Sequence, residues 1–254
     1  MLISDRIAQL PIDGQSHVAG AFPTFVLKRL EELLPRKVEN SVETGCGKST
    51  ILFSCVSDHH TVFCIDDREH GANSSINFFE SCPLTKNDRI EMVLGPTQRT
   101  LPRFENFRQY DVVLIDGPHG YPFPEIEYYY FYPHFRPGGI LILDDVHIAT
   151  IGRLADFIAE DPMFELVELV STTAVFKRTS APTFDPLGDG WWEQDFNRRR
   201  IPRHMPYLAP YVLDDGKAQS PFFERFTQKT VLPPGPMTLS RVLNAARRRF
   251  NAGS

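Results

Sequence analysis

Residues 42–50 read VETGCGKST, and the last four of them, GKST, match the end of a phosphate-binding P-loop. A P-loop has the form GxxxxGK[ST], in which the first glycine lets the chain wrap around a phosphate while the lysine and hydroxyl reach the terminal phosphate and Mg²⁺. Five positions before Gly47 the chain has Val42 instead of glycine, and Glu43 would bring a carboxylate against the phosphates. A P-loop nucleoside triphosphatase therefore stays only as a distant alternative.

The same stretch also has the form E-x-G-x-G, with Glu43, Gly45 and Gly47 at the end of a predicted strand. Glycines allow the backbone to approach a ligand closely. A carboxylate here suits a cofactor that carries an ammonium and a sulfonium group. The second predicted strand ends in Asp66 and Asp67, where an acidic side chain can accept both hydroxyls of a ribose. Because the third glycine of a dinucleotide motif is missing, S-adenosylmethionine fits better than a dinucleotide.

Strands and helices alternate along most of the chain. The predicted strands cover residues 38–42, 61–66, 89–95, 111–117 and 140–145, and the predicted helices cover 22–35, 49–58, 68–82, 125–135 and 149–161. The strands are apolar on both faces, which indicates a parallel sheet covered on each side. Two further apolar runs, FELVELVS and TAVFKRT, predict a closing antiparallel hairpin. The predicted fold is a doubly wound, Rossmann-like α/β sheet with its ligands at the carboxyl ends of the strands.

Composition divides the chain into three segments and excludes several functions. We predict an N-terminal helical segment at 1–35, a cofactor-binding domain at 36–180 and an extension at 181–254, which serves as a lid or oligomer arm or is partly disordered. The extension has 11 Lys and Arg against 7 Asp and Glu, within a net charge of −5 for the chain. That acidic balance argues against nucleic-acid binding, although a homo-oligomer stays open. Without an apolar run of spanning length or a secretory leader, we expect a cytoplasmic protein with reduced thiols.

Five short motifs occur in order at characteristic spacings: VETGCG, FCIDD, VLGPTQ, DVVLIDG and RPGGILILDD. Together they make residues 36–180 resemble the class I S-adenosylmethionine-dependent methyltransferases. The resemblance implies a methyltransferase with S-adenosylmethionine as its cofactor. The cofactor residues predicted on this basis are Glu43, Thr44, Gly45, Gly47, Ser49, Asp66, Asp67, Thr97, Gln98 and Asp116.

A group of acidic residues follows the fourth and fifth strands of this predicted sheet. Asp116 and, three residues later, His119 occur in IDGPHGY, and Asp144 and Asp145 occur in LDDVH. Adjacent parallel strands would bring the three carboxylates to one rim, where their repulsion is relieved by a divalent cation. Oxygen ligands favour Mg²⁺, with Mn²⁺ as an alternative.

Within the family, these residues resemble catechol O-methyltransferases and the metal-dependent sugar O-methyltransferases of macrolide biosynthesis. Asp145 stands where the catechol enzyme has asparagine, and His119 stands where it has a lysine base. Both departures match the sugar-modifying enzymes. The resemblance implies that His119 deprotonates a metal-bound hydroxyl, which then attacks the sulfonium methyl group. The expected acceptor is a small molecule or glycan with a sugar or several hydroxyls.

Other readings of the chain stay open at this stage. His147 is a rival base, and the same fold could methylate a phenol or amine without a metal. A cofactor-binding module without catalysis is a further alternative.

The aromatic run YYYFYPHF predicts a helix packed on the sheet. Trp191 and Trp192 either pack on the domain or close the pocket, and the arginine runs at 198–200 and 247–249 are expected to be solvated.

Overall fold

The computed structural model describes residues 1–10, 22–202 and 204–215, and a single sheet forms its centre. The strands are β1 Val38–Thr44, β2 Ser57–Cys64, β3 Ile90–Leu94, β4 Tyr110–Ile115, β5 Phe135–Leu143, β6 Phe164–Val170 and β7 Thr173–Arg178. Their order across the sheet is β3-β2-β1-β4-β5-β7-β6. The first five strands are parallel, and β7 runs antiparallel to both β5 and β6. The predicted fold, including its C-terminal antiparallel hairpin, is confirmed.

Helices precede and connect the strands. They are α1 Ile3–Ile7, α2 Thr24–Leu33, α3 Lys48–Val56, α4 Ser75–Ser81, α5 Thr97–Thr100, α6 Phe123–Phe131, α7 Ala149–Glu160 and α8 Asp195–Arg199. Short 3₁₀ helices of one or two turns occupy Arg68–Asn73, Asn87–Arg89, Leu101–Arg103, Tyr132–His134, Trp191–Glu193 and Pro206–Tyr211. Among the described residues, no helix is both long and apolar enough to cross a membrane.

Successive strand residues point to opposite sides of the sheet, and helices cover both sides, so both faces are buried. On β4, Val113 belongs to a core shared with α6 and α7, whereas Val112 and Leu114 belong to a core shared with α2, α3 and α4. The aromatic run lies mostly in the first of these cores, where Tyr128 and Phe131 are buried. Its predicted packing on the sheet is confirmed.

The segment after β2 departs from the prediction of one helix at 68–82. Gly71 has a φ of 58°, a left-handed conformation that suits glycine and that interrupts a right-handed helix. Ser74 then starts α4 by accepting a hydrogen bond from the backbone N–H of Asn77 at 3.0 Å. Because β2 ends at Cys64, Asp66 lies in a loop beyond the strand.

The arginine run at 198–200 is only partly solvated, which differs from the prediction. The side chain of Arg199 is only 7% exposed and pairs with Glu160 at 3.3 Å and with Asp215 at 2.7 Å. Arg200 pairs with the same Glu160 at 2.6 Å. These contacts hold the described part of the extension against α7. The second arginine run, at 247–249, lies outside the described residues.

Strand order reverses between β1 and β4, so the loops that follow these two strands diverge to opposite faces of the sheet. In doubly wound folds, such a point opens a crevice at the carboxyl ends of the strands. The backbone N–H of Gly45 donates to the carbonyl of Phe63 at 2.9 Å, and that of Asp144 donates to Ile115 at 3.2 Å. These bonds extend the sheet to the edge of the crevice.

Candidate active site

A cavity of about 700 Å³ opens at the carboxyl ends of the central parallel strands. The predicted cofactor residues that line it are Gly45, Gly47, Ser49, Asp67, Thr97, Gln98 and Asp116. His119, the predicted base, lines it as well. The structure therefore brings residues from four separate loops to one cavity.

Gly45 lies where the loops after β1 and β4 come closest. Its φ is 82°, and a Cβ atom built on it would lie 2.5 Å from the carbonyl oxygen of Asp116. Both features require glycine, since a side chain here would be strained and would collide with the backbone. The first glycine of the motif therefore lets β1 and the loop after β4 form a common cavity floor.

Glu43 is fully buried and does not line the cavity. It accepts a hydrogen bond from the hydroxyl of Thr50, which in turn accepts the backbone N–H of Gly47 at 2.9 Å. Its Oε1 also lies 3.2 Å from Nε2 of His60, whose other ring nitrogen is 2.8 Å from the hydroxyl of Ser41. His60, which is buried on β2, was not among the predicted site residues. Glu43 thus stabilises the glycine loop through Thr50.

The two aspartates after β2 have different surroundings. Asp66 is outside the cavity lining and forms an exposed ion pair with Arg68 at 3.1 Å. Asp67 lines the cavity and accepts hydrogen bonds from the hydroxyl of Ser74 and the backbone N–H of Ser75, both at 2.6 Å. Of the predicted ribose ligands, only Asp67 reaches the cavity.

His119 lies between two of the predicted metal-binding carboxylates. Its Nε2 is 3.7 Å from Oδ1 of Asp116 and 3.6 Å from Oδ2 of Asp145. Asp116 and, to a smaller extent, Asp145 raise the pKa of His119, while burial opposes them. Asp145 has a φ of 55°, an unusual conformation for a residue other than glycine. In this structure the imidazolium form of His119 would offset part of the negative charge of Asp116 and Asp145.

Asp144 is turned away from this pair. It is buried, and its Oδ1 accepts a hydrogen bond from the hydroxyl of Thr173 at 2.5 Å. Burial raises the pKa of Asp144, and the neighbouring charge of Asp145 adds to that shift. Across the part of the chain that the structure describes, no three His, Cys, Asp or Glu side chains are grouped closely enough to hold a metal ion. The three predicted ligands are therefore neighbours that do not form a ready coordination site.

The rival base and the paired tryptophans lie outside the cavity lining. His147 is 45% exposed, and its Nδ1 lies 3.5 Å from Asp145. Trp191 packs against Trp192 and Tyr211, with ring centres 5.9 and 5.4 Å apart. Geometry thus favours His119 over His147, and the tryptophans pack on one another instead of closing the pocket.

Lys48 is a cavity residue that the sequence analysis considered only as part of the P-loop alternative. It is the first residue of α3, and burial lowers the pKa of its side chain. In the described parts of the chain it forms no salt bridge. Its position directly after the glycine loop was the signal that could have identified it as a cavity residue.

Comparison with known proteins agrees with this architecture. Residues 42–146, which include the glycine loop, match the family model of a methyltransferase domain. An O-methyltransferase from Bacillus cereus in complex with SAH is 19% identical, with a TM-score of 0.52 over 70% of this chain and 90% of that one. TomG of Streptomyces achromogenes, an O-methyltransferase of tomaymycin synthesis solved with SAM, is 17% identical, with a TM-score of 0.50 over 70% and 86%. At these identities the structural likeness shows the fold.

MycE, a methyltransferase of mycinamycin biosynthesis solved with Mg, SAH and mycinamycin VI, is a weaker match. It is 16% identical, with a TM-score of 0.42 over 62% of this chain and 50% of that one, and this likeness has no bearing on the site. No curated protein matches the sequence significantly. The match over 42–146 includes the whole glycine loop and favours a methyltransferase over the P-loop alternative.

Proposed function

We propose that this chain is a class I, S-adenosylmethionine-dependent methyltransferase and that it methylates a hydroxyl of a sugar-containing or polyhydroxylated small molecule or glycan. The observation that carries this proposal is the position of His119, which lines the cofactor cavity between the carboxylates of Asp116 and Asp145. A base so placed suits proton removal from an acceptor hydroxyl. A cytoplasmic location and a homo-oligomeric assembly remain predictions from the sequence.

The cofactor would lie across the glycine loop. Gly45 and Gly47 leave its backbone open to close approach, and Asp67 would accept the ribose hydroxyls. Thr97 and Gln98, at the start of α5, would contact the adenine. The cavity volume of about 700 Å³ falls within the range of ligand pockets for molecules of this size.

Methyl transfer then needs one proton acceptor and one in-line displacement. Nε2 of His119 takes the hydroxyl proton of the acceptor as the oxygen attacks the methyl carbon. The new bond is C–O, the C–S bond breaks, and the sulfonium leaves as the neutral thioether of S-adenosylhomocysteine (SAH). Only neutral His119 can accept the proton, so its raised pKa places the midpoint of the rise in activity with pH above 6.5 in the metal-free protein.

Dependence on Mg²⁺ or Mn²⁺ is the finer part of the proposal. Asp116 and Asp145 would hold the ion, with Asp144 as the third carboxylate once it is released from Thr173. The chemistry of these oxygen donors fits a hard cation. When bound, the metal would make a coordinated hydroxyl more acidic. Because the charge of the cation would compensate Asp116 and Asp145, these carboxylates would no longer favour the protonated form of His119. His119 would then be the neutral base.

A metal-independent methyltransferase of the same fold, acting on a phenol or an amine, is the second candidate. The observation that favours it is that His119 itself lies between Asp116 and Asp145. In that case the two carboxylates would serve only to raise the basicity of His119.

Two titrations test the proposal. Calorimetry of SAH binding in the presence of a chelator is expected to give a saturable isotherm, and its absence with and without Mg²⁺ would refute the methyltransferase function. NMR titration of the histidines should then show that Mg²⁺ lowers the pKa of His119. The pKa of His134, which burial lowers at a site outside the cavity, is the internal control. If Mg²⁺ leaves His119 unchanged, the metal-independent candidate is favoured.

A further inference from the structure

Glu127 is a buried acid that the sequence analysis did not single out. It lies on α6 with no exposed surface, between helix residues that pack on the sheet. Such a position is unfavourable for a carboxylate unless polar partners surround it. Its helical spacing of four from the buried Phe131 was the signal in the sequence, because that spacing places an acid on the apolar face.

The partners of Glu127 connect the ends of two central strands. Its Oε2 accepts a hydrogen bond from the hydroxyl of Thr44, the last residue of β1, at 2.8 Å. The same hydroxyl accepts the backbone N–H of Asp116, which follows β4, at 3.1 Å. A single chain of hydrogen bonds therefore runs from Glu127 through Thr44 to the backbone of a residue that lines the cavity.

Gly117 provides the space for this carboxylate. A Cβ atom on Gly117 would lie 2.3 Å from Oε1 of Glu127 and 2.8 Å from its Oε2. The acid is therefore packed directly behind the IDGPH segment, which also carries His119. In this segment glycine serves close packing, because its φ is not in the left-handed region.

The second oxygen of Glu127 points to a third element of the cavity. Oε1 of Glu127 and the hydroxyl of Thr97 are both buried without a hydrogen-bond partner in the structure. Thr97 starts α5 and lines the cavity. Burial raises the pKa of Glu127 to about 7, while the hydrogen bond from Thr44 and the nearby hydroxyl of Thr97 oppose the shift. A small rotation would join the two unpaired groups and tie α5 to the same acid.

We propose that Glu127 is a positioning residue for methyl transfer: through Thr44 and Gly117 it fixes the ends of β1 and β4, and with them the floor of the cofactor cavity. This inference rests on the proposed function, because the affected ligand is the cofactor. Glu127 does not line the cavity itself, so it would act on the cofactor only through the residues that it holds.

Calorimetric titration with SAH tests the inference without knowledge of the acceptor. Glu127→Ala is expected to weaken SAH binding about tenfold, because the buried hydroxyl of Thr44 loses its hydrogen-bond acceptor. Glu127→Gln keeps an oxygen that can accept from Thr44 and should bind SAH within about twofold of the wild type. Glu125→Ala, the same substitution on the same helix but outside the cavity lining, is the matched control and should leave affinity unchanged.

Thr44→Val covers the case in which Glu127→Ala does not fold. It removes the connecting hydroxyl with little change of shape and should weaken SAH binding to a similar extent. Where both single variants fold, the double variant should bind no more weakly than either one, because the two residues act through one chain of hydrogen bonds.

Two results would overturn the inference, and they are distinguishable. If the wild-type protein binds SAH and the Ala and Val variants bind it equally well, even with a lowered melting temperature, Glu127 is only structural and the proposed function is unaffected. If the wild-type protein does not bind SAH, the proposed function itself fails.

Discussion

Lys48 brings a positive charge to a cavity that also contains the carboxylates of Asp67 and Asp116. We expect it to pair with the carboxylate at the amino-acid end of the cofactor. Lys48→Met keeps the length of the side chain and removes its charge, so it should weaken SAH binding about fivefold, as for one partly exposed ion pair. Calorimetry with 5′-methylthioadenosine, which lacks the amino-acid end, provides the control and should show no change. An equal loss for both ligands would contradict the pairing.

His119 owes its raised pKa to two carboxylates, so the effect of removing one can be predicted with its sign. Opposite charges favour the protonated imidazole, and Asp145→Asn should therefore lower the pKa of His119 in the metal-free protein. The raised pKa of His119 contributes to the stability of the fold below pH 6.5, and this contribution disappears as pH rises through the raised pKa. An NMR titration of the histidines measures the shift. An unchanged or raised pKa in the variant would show that Asp145 does not act on His119.

For single residues, the sequence predicts the position of the backbone in the fold but not the direction of the side chain. Topology alone places Glu43, Asp67 and Asp144 near the carboxyl ends of their strands. The direction of each carboxylate depends on its hydrogen-bond donors, which come from elsewhere in the chain: Thr50 and His60 for Glu43, Ser74 for Asp67, Thr173 for Asp144. No spacing rule links these partners.

Between elements, Glu160 at the end of α7 pairs with two arginines at the C-terminal end of α8 and just beyond it. Its side chain is 2% exposed and pairs with both Arg199 and Arg200. Glu160→Ala would leave Arg199 buried with fewer partners, and we expect a loss of about 2 kcal/mol in the free energy of unfolding. Urea unfolding measures it, with Glu165→Ala on the exposed face of β6 as the control. Equal stability of the two variants would contradict a structural role for the pair.

The elements themselves were predictable where an apolar period is regular. The helix predicted at 149–161 is α7 at Ala149–Glu160, and the hairpin strands differ from their predicted ranges by one residue at the C-terminal end. The helix predicted at 68–82 was wrong in its first half, because Gly71 was treated as helical. The arginine run was misjudged for a different reason: an ion pair between residues 160 and 199 leaves no local periodic signal.

For the whole molecule, the cofactor cavity and the described extension occupy different parts of the structure. Residues that line the cavity fall between 22 and 123, whereas the extension contacts α7 and β7. Phe196 packs on Phe157 with ring centres 5.5 Å apart, and Thr183 accepts a hydrogen bond from Arg178 at 2.9 Å. Stability and cofactor binding should therefore respond differently to loss of the extension. The predicted division at residue 180 can be tested on that basis.

Truncation after residue 180 should lower the free energy of unfolding by at least about 3 kcal/mol, because Phe184 and Phe196 lose their burial and Glu160 loses both arginine partners. SAH affinity should stay within about twofold of the full chain, because no cavity residue is removed. The matched control is truncation after residue 215, which leaves every described contact of the extension in place. Urea unfolding and calorimetry on the three proteins separate the two effects. A folded 1–180 fragment that cannot bind SAH would show that the extension completes the cofactor site, and the domain boundary would then be wrong.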